Sequence, residues 1–514
     1  MYSAPSGYED AAKSIDRAET LYMSMGADID NTAADDLDGF AGSSLPMSNT
    51  AQLADAVYQI DSNLATYEGD GIPTAANAAA MVPPTAPAAS IRSGWWSDTI
   101  SDADGLITAV LTMSLTAAHT SALTIYTDGP NILAGTATFH LDGEDDVEVE
   151  LECHQGYAVA KGSNTYDSIT LAIAQLDQPY RHLRIVEFEF GDSITISTQS
   201  LAHEVTYIDE VDPLGQGMPM RELDFDLINV NGEYDEDNPD SRFERLAIGN
   251  PINLSYTIFG GGRQYTVPMG RFVLAEKRPN GNCLTVVAYD TRWYLSQTYD
   301  AWGISASEDL GTTLDRLLTS VEIAHEIDPD VFLIYPVADH TFSTDTAVLD
   351  DIQAVCQAYG LVCVPDRYGS IMILTDHPSD DYGLLRPDMQ FSWPESSQMN
   401  RYNYIDVYYN GGHYVRDLRD NPNTTRTVIT VSNSLIVTEA QAISVCNRIA
   451  AHIWTRAVTV QWTSDPALDL YDDVDIYSRW TLNGEAATFR PVKREITFNG
   501  MLKEESTFIQ RHLH

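Results

Sequence analysis

Lysine is almost missing from this chain, with five in 514 residues, at positions 13, 161, 277, 493 and 503. Lys and Arg together number 29 against 75 Asp and Glu, which leaves a formal charge of −46. Holding a nucleic-acid backbone requires clustered basic side chains, so binding to DNA or RNA is excluded as a primary function. An anionic membrane surface is repelled for the same reason. The charge favours solubility, and it permits passive passage of DNA along an acidic channel that does not retain it. Adaptation to salt, or solubility alone, would explain the same composition.

Long apolar runs are also lacking. None approaches the roughly 18 residues needed to span a bilayer. The opening MYSAPSGYEDAAKSIDRAETLY has neither the basic start nor the apolar stretch of a secretory leader. The expectation is synthesis in a cytoplasm and, if the chain leaves it, exit by another route. The five cysteines, at 153, 283, 356, 363 and 446, have no CxxC spacing and read as buried free thiols.

Catalytic signatures are scarce as well. His203-Glu204 and His325-Glu326 lack the second His of a zinc helix, and no GxSxG or phosphate-binding loop occurs. Gly260-Gly261-Gly262 reads as a hairpin tip. The acidic stretch NVNGEYDEDNPD, starting at Asn229, resembles a calcium loop at first sight. A calcium loop needs Gly at its sixth position, and neither Asn229 nor Asp235 as the start supplies one. The pair Asp28 and Asp30 fails the same test. Asn231-Gly232 instead supplies positive φ and Pro239 blocks strand continuation, so the stretch reads as a wet turn. Acid pairs abound in so acidic a chain, so a glycosidase dyad is not excluded by sequence. No catalytic residue, metal ligand or cofactor is assigned.

What is present is β-rich and mixed. Residues 8–26 have helical spacing, with Ile15, Ala18, Tyr22 and Met25 on one stripe, and a second helix fits Leu53, Val57, Ile60 and Leu64. An Ala/Pro linker covers 71–93. From 94 to 197 short alternating strands (VLTMSLT, ALTIYT, TATFHL, VEVELE, SITLAIAQL, IVEFEF) predict an antiparallel β-sandwich. The acids of EDDVEVELE fall on its solvated face. Trp95 and Trp96 stand at its entry. They read as anchors of the first strand, or as candidate glycan-contact residues if exposed. A strand-rich block follows at 198–303. An α+β unit at 304–388 carries Leu310, Leu314, Leu317 and Leu318 on one helix and Ile352, Val355 and Cys356 on another. A last block at 389–514 contains a helix opened by Thr438-x-x-Gln441.

Four stretches, in this order along the chain, resemble the tail hub and baseplate hub proteins of tailed bacteriophages. GWWSDTISDADG with YRHLRIVEFEFGDSI is similar to a galactose-binding-like sandwich inserted near the start of many such proteins. ELDFDLINVNGEYDEDNP followed by GNPINL looks like a connection in their first barrel. TDTAVLDDIQAVCQAYGLVCVPDRYGSIMI resembles their middle α+β unit. VQWTSDPALDLYDDVDIY with EITFNGMLKEESTF resembles the second barrel.

The resemblance implies a mainly β protein with α+β. It would comprise two tube-like β-barrel domains, the inserted galactose-binding-like β-sandwich, the middle α+β unit, and an N-terminal helical segment with the first barrel strand over 1–70. It implies a homotrimer that presents six barrels to a sixfold tube and a virion tail location. Implied partners are a distal tail or tail tube protein, the tape measure protein and receptor-binding or tail-fibre proteins, with viral DNA passing unbound. The sandwich would be a peripheral module. The competing reading is a host-glycan adhesin or tail-associated cell-wall hydrolase. The end of the chain, directly after the last barrel strand, disfavours the hydrolase.

Overall fold

The computed structural model describes residues 8–12, 18–26, 37–45, 48, 50, 53, 94–191, 193–230, 232, 234–235, 246–260, 263–299, 302–376, 380–398, 402–419, 421, 423–453, 456–477 and 486–510. The second expected helix (beyond Leu53) and the Ala/Pro linker lie outside them. The chain is mainly β and divides into two compact units. One comprises Met1–Met23, Ile196–Ser241 and Ile252–His514; the other comprises Ser24–Thr195 and Arg242–Pro251.

In the first unit, strands of clean two-residue periodicity build one large sheet. Leu223, Phe225 and Leu227 of the Glu222–Ile228 strand are buried, as are Leu284, Val286 and Ala288 of Cys283–Asp290, which pairs with it. Period-two alternation sends each set to one face, where apolar burial stabilises the sheet. Arg263–Asn280 pairs with Cys283–Asp290 around Gly281, which sits at φ +63°. On the other side Glu222–Ile228 pairs with Val205–Glu210. That strand then runs antiparallel to Ala487–Phe498, from Val205 opposite Phe498 to Glu210 opposite Lys493. The sheet continues through Leu502–Gln510 and Arg456–Trp462 to Glu395–Gln398. The blocks expected as separate barrels are thus hydrogen-bonded into one sheet.

Residues 18–26 depart from the helical expectation. The only helix there, among the described residues, is Tyr8–Ala12, and Ala18–Gly26 is a strand next to Pro251–Gly260. Leu21, Tyr22, Met23 and Met25 are all buried. An apolar run with no polar face suits a strand enclosed by a sheet better than a one-sided helix.

The α+β portion packs around one apolar cluster. Helix Leu310–Ser320 starts at Asp309, whose carboxylate accepts from the Thr312 amide at 2.7 Å, and buries Leu310, Leu314, Leu317 and Leu318. Helix Val348–Tyr359 ends at Gly360, at φ +77°, a left-handed stop that favours glycine. Helix Glu439–His452 carries the expected capping box of Thr438 and Gln441. Ile405, Val407, Ile429 and Val431, from strands Tyr404–Tyr409 and Val428–Ser432, share this cluster with Ile352, Val355 and Ile449. The middle core therefore draws in residues up to Ile453, beyond the boundary expected at 388.

In the second unit an eight-stranded sheet forms around Leu106–Thr127 and Tyr157–Leu176. VLTMSLT and ALTIYT, expected as two strands, are one 22-residue strand. No Gly, Pro or Asn-Gly separates them. Register shifts between Ser114 and Ala118 and between Thr120 and Ala122 take up the bend instead. The core is formed by Leu111, Met113, Leu123, Ile125, Ile169, Leu171 and Phe188 among others. Val147–Glu150 is almost wholly exposed, so its acids are solvated.

Candidate functional site

The acidic stretch that opens the question of function is a turn where it is described. The Asn229 side chain accepts from the Tyr234 amide at 2.9 Å and donates to Asp235 at 2.7 Å. Gly232 closes it at φ +68°. Asn229 is thereby an Asx-type organiser of the loop. Among the described residues no three His, Cys, Asp or Glu are grouped to hold a metal ion.

The richest polar arrangement lies in the first unit, where TSDP follows the strand ending at Trp462. Trp462 is fully buried and donates from Nε1 to Ser506 Oγ at 3.0 Å. Arg494, 3% exposed, grips Glu504 in a fork, Nε to Oε1 at 2.7 Å and Nη2 to Oε2 at 2.8 Å. The same guanidinium donates to the carbonyls of Asp465, at 2.9 Å, and Leu468. Ser464 Oγ donates to Glu504 at 2.6 Å. The Asp465 carboxylate accepts from the hydroxyls of Tyr8 at 2.8 Å and Tyr382 at 2.9 Å. Burial, then the neighbouring Asp465, pushes both of these tyrosines up, so they remain protonated donors.

Two further pairs stand in the same unit, Arg292–Asp290 buried and Arg367–Asp469 half-buried. Arg292 holds Asp290 through Nε and Nη2, at 2.9 and 2.7 Å, and reaches the carbonyls of Pro219 and Cys363. Arg367 holds Asp469 at 2.6 Å and the Pro268 carbonyl at 2.7 Å. Burial alone would raise both aspartates, but the facing guanidinium wins and holds each below the usual carboxylate range. Bidentate arginine suits this work because its planar fork satisfies a carboxylate and carbonyls together.

A cavity of about 740 Å³ opens in this unit, lined by Leu214, Met218, Leu361, Val364, Arg448 and Tyr471 among others. Its acids are committed to structure. Asp209 is paired with Arg221 at 3.0 Å, and Asp212 accepts from the amides of Leu214, Gln216 and Gly217. Its thiols are turned away from reactivity, since burial pushes Cys363 up to about 12 and raises Cys356 as well. A nucleophilic thiol needs the opposite shift. All five cysteines are free, with Cys356, Cys363 and Cys446 buried and Cys153 and Cys283 half-buried.

Trp95 and Trp96 are 1% and 0% exposed, which corrects the glycan-contact assignment. Trp95 joins the apolar core of the second unit, and the Arg184 guanidinium lies 4.8 Å over the Trp96 ring. Their short strand pairs with Arg184 and Ile185, so neither ring offers a face to a sugar. The arginine–carboxylate pairs were missed by sequence reasoning. Arg367 and Asp469 lie 102 residues apart. Although Arg292 and Arg494 meet acids only 2 and 10 residues away, their burial and the distant carbonyls they also hold have no local signal.

No family model and no curated protein matches the chain. Among solved structures it is similar to a tail protein from Neisseria meningitidis MC58, at 10% identity and TM-score 0.43, covering 60% of this chain and 91% of that one. It is similar to the 43 kDa tail protein of prophage MuSo2 from Shewanella oneidensis, at 10% identity and TM-score 0.42, over 62% and 95%. A third is the prophage tail protein gp18 from Listeria monocytogenes EGD-e, at 10% identity and TM-score 0.39, over 62% and 91%. These are loose likenesses, and the proteins they reach are tail proteins, two of them from prophages.

Proposed function

We propose that this chain is a structural hub of a phage tail tip or baseplate, acting through assembly and without catalysis. The observation that carries the reading is the ladder between Val205–Glu210 and Lys493–Phe498. It joins two strand-rich blocks, far apart in sequence, into one sheet of the first unit. The stretches whose order resembles tail hubs supply the structural joints of that sheet: the Asn229 turn, the Trp462–Asp465 cluster and the Gly500 hairpin. Three such chains would present six β blocks and close a ring matching a sixfold tube, with one heterologous interface repeated.

Acidity fits the same role. Arg221, Arg292, Arg367 and Arg494 have side chains at most 12% exposed, each paired with a carboxylate of its own unit. Part of the small basic complement of a chain at −46 is thus withdrawn from its surface, which suits a channel that DNA crosses without sticking. Partners would be further tail proteins and, through the second unit, a neighbouring tail component. Native mass spectrometry, backed by particle imaging, tests the reading: a trimer or threefold ring is expected. An obligate dimer, or release of soluble fragments from peptidoglycan by the purified chain, would overturn it.

A further inference from the structure

Bulky apolar side chains rarely stand together in water unless something covers them. Between Phe332 and Val337 four do so: Phe332 is 38% exposed, Leu333 74%, Tyr335 58% and Val337 51%. The backbone that carries them is pinned. The Asp328 amide donates to the Ile373 carbonyl at 2.9 Å, and the Leu310 amide to the Ile334 carbonyl at 2.8 Å. Val331 is fully buried between these ties. The Phe332 ring lies against Gly311, where a Cβ would come within 2.6 Å of it. The segment is a fixed apolar spur held on a helix start.

Its border is acidic. Asp328 accepts from the Asp330 amide and from Thr375, both at 2.9 Å, and Asp339 from the Ala306 amide at 2.8 Å. These hydrogen bonds hold both carboxylates below their usual range, so the rim stays charged at neutral pH. Asp330 adds a third acid beside Phe332.

We propose that the spur from Pro329 to Val337 docks into a different protein, in an apolar groove bordered by lysine or arginine. A second copy of this chain is the poorer occupant on charge. It would bring another −46 against this rim, and the first unit's Arg221, Arg292, Arg367 and Arg494 already hold carboxylates of their own. Like charge at a contact costs affinity, whereas a basic border would speed and orient association. This inference stands apart from the hub reading, since it rests on the spur alone.

The test uses the full chain and two synthetic amphipathic helical peptides, one of Leu and Lys and its counterpart of Leu and Glu. Fluorescence anisotropy should show binding of the Lys peptide only, weakening as salt rises. The double variant Leu333→Ser, Tyr335→Ser should lose at least tenfold in affinity, while the control Tyr368→Ser, another exposed aromatic, should not. Circular dichroism checks that the variants stay folded, which surface positions favour. Equal binding by wild type and double variant would overturn the proposal. So would sedimentation showing self-association of the wild type that the double variant abolishes, since the occupant would then be a second copy.

Discussion

The two units differ in how their interiors are held. The second unit closes over an apolar core in which Leu111, Met113, Leu123, Ile125, Ile169 and Leu171 meet across long bulged strands. The charge it buries, at Arg184, Glu187 and Glu189, includes a guanidinium over the Trp96 ring and a carboxylate that accepts from the Tyr126 hydroxyl. Its exposed strand Val147–Glu150 leaves its acids in water. The first unit also has apolar cores, but at its strand ends it buries Arg494–Glu504, Arg292–Asp290 and Arg221–Asp209. Apolar burial is non-directional and tolerates repacking. A forked ion pair is directional, and the arginines of Arg494–Glu504 and Arg292–Asp290 also satisfy backbone carbonyls, those of Asp465 and Leu468 and those of Pro219 and Cys363. The difference teaches that the first unit organises turns with buried arginine forks, at Arg494 and Arg292, while others of its arginines, such as Arg316 beside Glu308, pair at the surface.

The sharpest way to break that comparison is to remove one partner of a buried pair. Arg494→Ala should destabilise the first unit by about 3–5 kcal/mol, because Glu504 is left buried and charged. Arg494→Met combined with Glu504→Leu should recover part of the loss only, because the carbonyls of Asp465 and Leu468 and the Ser464 hydroxyl then lose their partners, as chemical denaturation would show. If the single variant costs less than 1 kcal/mol, the pair is not an organiser. In the second unit Leu171→Ala should cost about 2–5 kcal/mol through cavity formation, with no charge-swap partner able to restore it.

Acid should act on the first unit. Asp290 and Asp469 have folded pKa values lowered below the ordinary aspartate value. A lowered folded pKa gives stability that is fully present above the unfolded value near 3.9 and is lost as pH falls through the folded one. Thermal unfolding followed below about pH 4 should therefore show a falling midpoint, with a shallower slope in Asp290→Asn. A slope unchanged by that substitution would remove Asp290 from the explanation.

Excising residues 94–191, with a short Gly/Ser link that spares the edge strand Ser193–Ser197 of the first unit's sheet, should leave assembly of the first unit intact. Failure to assemble would make the excised part of the second unit necessary to the core architecture. The smallest effect belongs to the solvated face: Glu148→Lys should change stability by less than about 0.5 kcal/mol.

Much of the local order was legible. The stripe Leu310, Leu314, Leu317, Leu318, the stop at Gly360, the capping box at Thr438 and Gln441, and the turn at Gly232 all follow from residue-level chemistry. These features depend on neighbours within a few positions, which a linear text displays. Ala18–Gly26 was misread because burial on a sheet overrides a helical spacing that several residues satisfy by chance. The glycan role of Trp95 and Trp96 was open because exposure is a property of what packs over a ring, and the chain closes over both.

By itself the sequence determined composition and its consequences: an acidic surface, no cluster of base for nucleic acid, alternating strands and well-capped helices. Only the tertiary structure decided that Val205–Glu210 lies beside Lys493–Phe498, that strands beyond residue 400 complete the middle core, and which acid each buried arginine meets. The physical reason is range. Periodicity and capping act within a turn or a strand, whereas ladder partners and ion pairs are chosen by the whole fold. Arg367 meets Asp469 across 102 residues, and even Arg292, two residues from Asp290, also holds the Cys363 carbonyl 71 residues on.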